Sequence, residues 1–128
     1  MNLLLDTHTI LWFVDGSPRL SSAAKRIIED SNSQSFVSIA SLWEIGIKIG
    51  LKRLRIDVSI GDFVATMVER NGFELLPVNV VHIVEVASLP FHHRDPFDRT
   101  IVAQCRVENF SVVSADAAFD GYAVSRVW

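Results

Sequence analysis

Short, continuous apolar runs constrain the fold of this chain more than any other feature. Residues 3–5 are all leucine and end at the polar stretch 6–9, and residues 110–114 form a second run of this kind. A strand is apolar throughout, rather than alternating, when helices cover both faces of a parallel sheet. The pattern therefore predicts an α/β domain in which a parallel sheet is buried between helices.

Strands and helices alternate along the rest of the sequence. Further strands are predicted at residues 35–38 and 73–78, with a last strand at 123–127. Helices are predicted after Ser21 or Ser22, over residues 39–49, from Ser59 to Asn71-Gly72, over 79–87, and from an Asp95 cap to Asn109. Residues 89–94 are predicted to form a loop, and residues 116–122 a short polar connection.

The composition is that of one globular domain spanning residues 1–128. Hydrophobic residues make up 49% of the 128 positions, which is enough for a single core without disulfides. The single cysteine, Cys105, is expected to be a small buried hydrophobe. With no secretory leader and no apolar stretch long enough to span a bilayer, we expect a cytoplasmic protein. The mean hydropathy of +0.29 suggests that a partner or a second copy covers some apolar surface.

The charge balance does not by itself indicate nucleic-acid binding. The net charge is -3, so any phosphate-rich substrate must be held locally. Four basic residues are candidates: Lys48, Lys52, Arg53 and Arg55. A solvated basic helix end is the competing interpretation, and on base rates the favoured one.

Four acids are predicted to meet at one edge of the sheet. Asp6 and Asp116 follow strands that should be neighbours, whereas Glu44 and Asp98 lie in the first turns of helices. In parallel α/β sheets the ligand crevice lies at the carboxyl ends of the strands. Clustered carboxylates repel one another unless a cation joins them, and Mg²⁺ prefers such oxygen ligands. The sequence therefore predicts a magnesium site, and Mn²⁺ would suit the same ligands.

Each acid also has a purely structural interpretation. Asp6 and Asp116 can cap turns, and Glu44 can close a capping box with Ser41. Asp98 can be stabilised by the dipole of its own helix. Asp120 is a further acid of the same region, and Asp95 is better explained as a helix cap.

Histidines and aromatic residues carry a weaker signal. His92 and His93 are expected to be solvated, as loop histidines usually are, and no His or Cys spacing supports a zinc site. His8 is expected to pack in a turn rather than to contact a substrate. Core packing is expected, in preference to base stacking, for three aromatic residues at helical spacing: Trp12, Trp43 and Phe97.

Four segments together resemble the PIN-domain family, and more narrowly the VapC toxins of bacterial type II toxin-antitoxin pairs. They are LLLDTHTILW, SIASLWEIGIKIG, HHRDPFDRTIVAQ and SVVSADAAFDGY, and each carries one of the four acids. The resemblance implies a three-layer α/β/α sandwich with a central parallel sheet of four or five strands. It also implies a magnesium-dependent endoribonuclease whose products carry a 5′-phosphate and a 3′-hydroxyl.

The resemblance assigns residues and partners as well. Metal binding and catalysis would fall to Asp6, Glu44, Asp98 and Asp116, with Asp120 as an alternative to Asp116. Thr7 and Ser114 match positions that often carry a hydroxyl near the metal. The expected partners are RNA, a VapB-like antitoxin whose tail fills the acidic crevice, and a second copy of the chain joined through apolar helix faces. Arg99 and the basic residues 48–55 are further candidates to hold flanking phosphates, with surface solvation as the default interpretation.

Three other functions compete with the ribonuclease. A PIN-like module that binds RNA or protein without cleavage would keep the fold, but four intact acids argue against a decayed site. A haloacid-dehalogenase-like phosphatase wants a second aspartate two residues after Asp6, where His8 stands. A phosphoacceptor receiver domain would not need the helix-borne Glu44 and Asp98. The ribonuclease is preferred to all three.

Overall fold

Five parallel strands form the centre of the molecule. In the computed structural model, which describes residues 1–128, they are β1 (Asn2–Leu5), β2 (Gln34–Ser38), β3 (Glu74–Leu76), β4 (Ser111–Val113) and β5 (Arg126–Val127). Their order across the sheet is β3-β2-β1-β4-β5, and every neighbouring pair is parallel. The predicted parallel sheet is confirmed, with five strands.

Six α-helices connect these strands. They are α1 (Thr7–Asp15), α2 (Ser22–Glu29), α3 (Ile39–Gly50), α4 (Ile60–Ala65), α5 (Val80–Ser88) and α6 (Pro96–Glu108). A π-helical turn, Thr66–Arg70, continues α4. Local signals set the helix starts as predicted: the Ser21 hydroxyl accepts the Ala24 N–H, and Asp95 caps α6 with proline in its first turn. None of the helices is long and apolar enough to cross a membrane.

The prediction of a polar connection at residues 116–122 was wrong. Ala117–Tyr122 forms a 3₁₀-helix, and its Phe119 and Tyr122 side chains are almost completely buried. These two residues are three apart, which places them on the same side of a 3₁₀-helix. Their burial closes one end of the core beneath the loop that precedes α6.

Successive side chains of a strand point to opposite faces of the sheet and pack into two separate hydrophobic cores. Leu3 and Leu5 of β1 pack with residues of α1 to α4, whereas Leu4 packs with α6 and the 3₁₀-helix. Burial of each of these leucines stabilises the folded state by roughly 1.5–3 kcal/mol relative to an exposed side chain. Both faces of the sheet are therefore covered, and the predicted three-layer α/β/α architecture is confirmed.

The strand order defines where a ligand crevice can form. From the central β1 the chain goes first to β2 on one side and later to β4 on the other. The ends of β1 and β4 lie together, since Leu5 pairs with Val113 and the Asp6 N–H donates to the Val113 carbonyl at 3.2 Å. In open α/β sheets, ligands bind at such a switch point, outside the carboxyl ends of the strands.

Candidate active site

A small polar cleft of about 130 Å³ opens at this switch point. No hydrophobic residue lines it; the lining residues are Asp6, Thr7, His8, Glu44, Lys48, Asp95, Asp98 and Asp116. All four acids predicted to meet are thus brought together. Asp120 lies outside the cleft and pairs with Arg126 at 2.9 Å. The largest cavity, about 490 Å³ between the end of α3 and the start of α4, is mainly apolar and contains no carboxylate.

Asp6 is held from two directions. One carboxylate oxygen accepts the Thr9 N–H at 2.8 Å and so caps α1, while the other accepts the Ser114 hydroxyl at 2.5 Å. The side chain is buried. The structural interpretation of Asp6 as a cap is therefore correct, and it coexists with a place in the cleft.

Glu44 does not close a capping box. Helix α3 begins three residues earlier than such a box requires, at Ile39, with Ser38 as its cap. The buried Ser41 hydroxyl has no hydrogen-bond partner. Glu44 instead accepts the Thr7 hydroxyl at 2.6 Å with one oxygen and pairs with Lys48 at 2.9 Å through the other. Residues from α1 and α3 together fix its orientation.

Asp98 is the one cleft acid of the four whose carboxylate has neither a hydrogen bond nor an ion pair. It lies in the first turn of α6, three residues after the Asp95 cap. Its pKa is raised to about 6, chiefly by burial and next by the negative charge of Asp95. Glu44 and Asp6 add to this rise, and His93 opposes it. The cleft thus contains negative charge that the protein does not compensate.

Asp116 is held by a histidine that the sequence analysis expected to be solvated. The His93 side chain is only 8% exposed, and its Nε2 lies 2.7 Å from Asp116 Oδ2. The other Asp116 oxygen accepts the Ala118 N–H and caps the 3₁₀-helix. Burial raises the pKa of Asp116, but the hydrogen bonds from His93 and Ala118 and the nearby cationic side chains outweigh it, so the pKa lies below its usual value.

Other predictions were wrong where a side chain turned out to contact a distant segment. Arg99, a candidate phosphate ligand, is buried and donates to the carbonyls of Val86, Leu89 and Pro90. Trp43 was expected in the core but is 67% exposed, with its ring edge-on to Phe97.

The remaining candidates are more mixed. Trp12 is half-buried and lies against Trp128. His8 is exposed, lines the cleft and stacks on Trp12, so it is not packed inside a turn. Cys105 is buried as predicted, and burial raises its pKa to about 12, which makes the thiol inert at neutral pH.

The acids share a cleft without converging on a single point. No group of three or more His, Cys, Asp or Glu side chains is arranged as a ready-made metal site. Two of the acids are paired within the protein, Glu44 with Lys48 and Asp116 with His93. The candidate ligands are nevertheless all carboxylates, and the Asp98 carboxylate is unpaired. Such a set suits a hard divalent cation.

The fold and the cleft define the class of protein: a three-layer α/β domain with a carboxylate cluster at the switch point of its parallel sheet. Residues 3–124 match the model of the PIN domain, and the chain belongs to that family. No curated protein matches the chain by sequence.

Solved structures resemble the chain over nearly its whole length. A chain of VapBC2 from Rickettsia felis bound to a promoter DNA fragment has a TM-score of 0.74 at 14% identity, covering 98% of this chain and 97% of that one. VapBC-1 from nontypeable Haemophilus influenzae gives 0.65 at 15% identity, with coverages of 98% and 96%. FitAcB from Neisseria gonorrhoeae gives 0.63 at 17% identity, with coverages of 97% and 95%. At these identities the similarity establishes the fold.

Proposed function

We propose that this protein is a magnesium-dependent endoribonuclease that acts as the toxin of a type II toxin-antitoxin pair. The observation that carries the proposal is the cleft itself, in which Asp6, Glu44, Asp98 and Asp116 meet without a compensating cation at Asp98. PIN-domain toxins are generally nucleases, and PIN nucleases generally use divalent metals.

The residues present fit magnesium. Carboxylate groups and water are its usual ligands, and substrate phosphate commonly completes its coordination. The pKa of Asp98 is raised first by burial and then by neighbouring carboxylates, and a divalent cation would offset both effects by compensating the negative charge. We expect Asp6, Glu44, Asp98 and Asp116 to hold the ion, and Mn²⁺ to substitute for it. A bound magnesium ion supplies Lewis-acid chemistry, lowering the pKa of water and stabilising charge on phosphoryl oxygens.

The chain's own residues orient the acids and the substrate. Thr7 and Ser114 each donate a hydrogen bond to a cleft carboxylate, Glu44 and Asp6 respectively, and so fix its orientation. Lys48, half-exposed beside Glu44, is placed to contact a phosphate that enters the cleft. Exposed Lys52, Arg53 and Arg55 extend this basic edge toward flanking phosphates.

Hydrolysis by water predicts a specific product chemistry. Cleavage should leave a 5′-phosphate and a 3′-hydroxyl, because the ribose 2′-hydroxyl is not the nucleophile. Replacing the ribose at the cleavage site by deoxyribose should therefore leave cleavage intact. A nuclease that attacks through the 2′-hydroxyl would lose activity on the same substrate.

The deciding experiment is cleavage of total cellular RNA by the purified protein, free of any antitoxin. We expect cleavage with Mg²⁺ and none with EDTA or with the Asp98→Asn variant. Asp120→Asn is the matched control, because it removes an acid outside the cleft and should remain active. If folded protein cleaves no RNA class and calorimetry detects no Mg²⁺ binding, the alternative function, a non-catalytic PIN-like binding module, is the better one.

We further propose a VapB-like antitoxin as partner. Support comes from the toxin-antitoxin complexes among the similar structures, those of VapBC2 and VapBC-1. A tail that enters the acidic cleft would block both metal and RNA. The proposal predicts that the cognate small protein from the native host inhibits RNA cleavage at equimolar concentration. Truncation of its tail should restore cleavage without abolishing the complex.

A second copy of the chain is the other proposed partner. Helix α5 exposes several apolar side chains, including Val80, Ile83 and Val84, which are 78%, 59% and 66% exposed. An adjacent apolar cavity of about 250 Å³ between Trp43 and Phe97 extends the same surface. Contiguous apolar surface of this kind is typical of a protein interface. We therefore propose a homodimer that associates through these helix faces. As its location we propose the cytoplasm.

A further inference from the structure

His93 connects the cleft to the core through a chain of hydrogen bonds. Its Nε2 lies 2.7 Å from Asp116 Oδ2, and its Nδ1 lies 3.1 Å from the hydroxyl oxygen of Tyr122. The same hydroxyl accepts the backbone N–H of His93 at 2.6 Å. Tyr122 is buried, and its ring is nearly parallel to the imidazole. Backbone and side chain of His93 are thus both fixed by one tyrosine.

His93 is the donor in its contact with Asp116. A carboxylate oxygen can only accept a hydrogen bond, so Nε2, which lies 2.7 Å from Oδ2, carries a proton. The Tyr122 hydroxyl contacts Nδ1 at 3.1 Å and so holds the ring in the orientation that presents Nε2 to Asp116.

We propose that His93 is a positioning residue that orients the Asp116 carboxylate for magnesium, an inference that rests on the proposed function. The Asp116 side chain is 47% exposed and would otherwise sample several rotamers. Each carboxylate oxygen accepts one hydrogen bond, from His93 or from the Ala118 N–H, and keeps a lone pair free. Groups that orient metal ligands in this way commonly change metal affinity when they are removed.

The loop that carries His93 is itself anchored. The Arg99 guanidinium donates to three carbonyls of residues 86–90 and lies 4.0 Å over the Phe91 ring. At the other side, a Cβ atom on Gly121 would lie 2.9 Å from the His92 ring, so the loop and the 3₁₀-helix are in close contact. These contacts hold the loop in place. His93 can therefore fix the direction of the Asp116 carboxylate.

Two variants at His93 separate its two contacts. A glutamine amide can donate from near the position of Nε2, whereas the shorter asparagine reaches only the position of Nδ1. Calorimetric titration with MgCl₂ should show affinity reduced about 10- to 100-fold in His93→Asn. His93→Gln should bind magnesium close to wild type. Arg94→Lys is the control in the same loop: it keeps the positive charge at an exposed position and should bind like wild type.

The titrations distinguish failure of this inference from failure of the proposed function. If wild type binds no magnesium, the metal site is overturned and the role of His93 with it. If wild type and folded His93→Asn bind equally, or if His93→Gln falls as far as His93→Asn, only the role of His93 is overturned. ¹⁵N NMR of the imidazole is independent of metal and of the variants' folding: it should show the proton on Nε2, and a proton on Nδ1 alone would overturn the inference.

Discussion

Asp98 differs from the other acids of the cleft in having no partner for its charge. Asp6, Glu44 and Asp116 each accept hydrogen bonds that hold them in place, whereas Asp98 is partly buried beside three other carboxylates. A group whose ionisation destabilises the folded state is commonly retained for function. Because ionised Asp98 lowers the free energy of unfolding, its effect can be measured without any substrate.

Replacing Asp98 by asparagine should stabilise the metal-free protein at neutral pH. The pKa is 3.8 for the ordinary group and about 6 in the folded protein. Below 3.8 both states bind the proton; as the pH rises, the unfolded chain ionises first, and above about 6 the folded state bears the full cost. With allowance for partial exposure, we expect Asp98→Asn to gain about 1 kcal/mol at pH 7 and little at pH 4.

Urea denaturation in EDTA at the two pH values measures this gain. Asp57→Asn, at an exposed site away from the cleft, is the control and should change little. Addition of Mg²⁺ should reverse the order, because only wild type gains from binding. An Asp98→Asn protein that is less stable than wild type at pH 7 would contradict the electrostatic account.

Lys48 supplies part of the positive charge that a metal would otherwise provide. It pairs with Glu44 at 2.9 Å. Lys48→Gln should strengthen Mg²⁺ binding by about two- to fivefold, because it frees Glu44 and removes a repelling charge. The KM for RNA should rise at the same time. Calorimetry and steady-state kinetics measure the two effects, and Lys25→Gln on α2 is the control; weaker magnesium binding in Lys48→Gln would refute this role.

At the scale of elements, α6 and the loop before it form the support of the site. The start of α6 follows from a local signal, the Asp95 cap with proline after it. The loop has few backbone hydrogen bonds of its own, and Arg99 from α6 satisfies three of the carbonyls in and before it. Because the guanidinium points inward, it supports the shape of the cleft instead of contacting substrate.

Arg99→Lys should therefore destabilise the fold. An ammonium group cannot reach three carbonyls in the fork geometry of a guanidinium, and unsatisfied buried carbonyls cost about 1–3 kcal/mol each. We expect a loss of about 2 kcal/mol or more in urea denaturation. Arg94→Lys in the same loop, at an exposed position, should be neutral. Full stability of Arg99→Lys together with a raised KM for RNA would instead favour the phosphate-binding role.

At the scale of the whole molecule, the apolar surface is concentrated on α5 and around Trp43. Val80, Ile83 and Val84 are three and four residues apart, so they lie on one side of the helix. The net charge of -3 does not oppose self-association strongly. A second copy related by a two-fold axis would bury the same surface on both chains.

Val84→Glu should convert a dimer into a monomer. Light scattering after size exclusion should give twice the chain mass of 14.3 kDa for wild type and the chain mass for the variant. The interface would then contain one glutamate from each chain, and each would lose hydration on association without gaining a partner for its charge. Val68→Glu, at an exposed valine of the π-helical turn, should leave the dimer intact. A monomeric wild type would contradict the proposed homodimer.

Much of the fold was predictable because its signals are local. Strand positions followed from short apolar runs, and helix starts from Ser21 and Asp95. Neighbouring positions for Asp6 and Asp116 followed from the general winding of parallel sheets. The 3₁₀-helix was missed because its two aromatic residues are separated by polar and small ones.

The sequence by itself determined the parallel α/β architecture, because apolar periodicity and helix caps act within a few residues. It also determined that four acids gather at one edge, because the carboxyl ends of parallel strands share that edge. Only the tertiary structure decided how each acid is held. Thr7 and Glu44 are 37 residues apart, His93 and Asp116 are 23 apart, and Asp6 and Ser114 are 108 apart. Such contacts depend on the angles at which helices and loops pack on the sheet, and these angles are set by the complementary shapes of side chains from the whole chain.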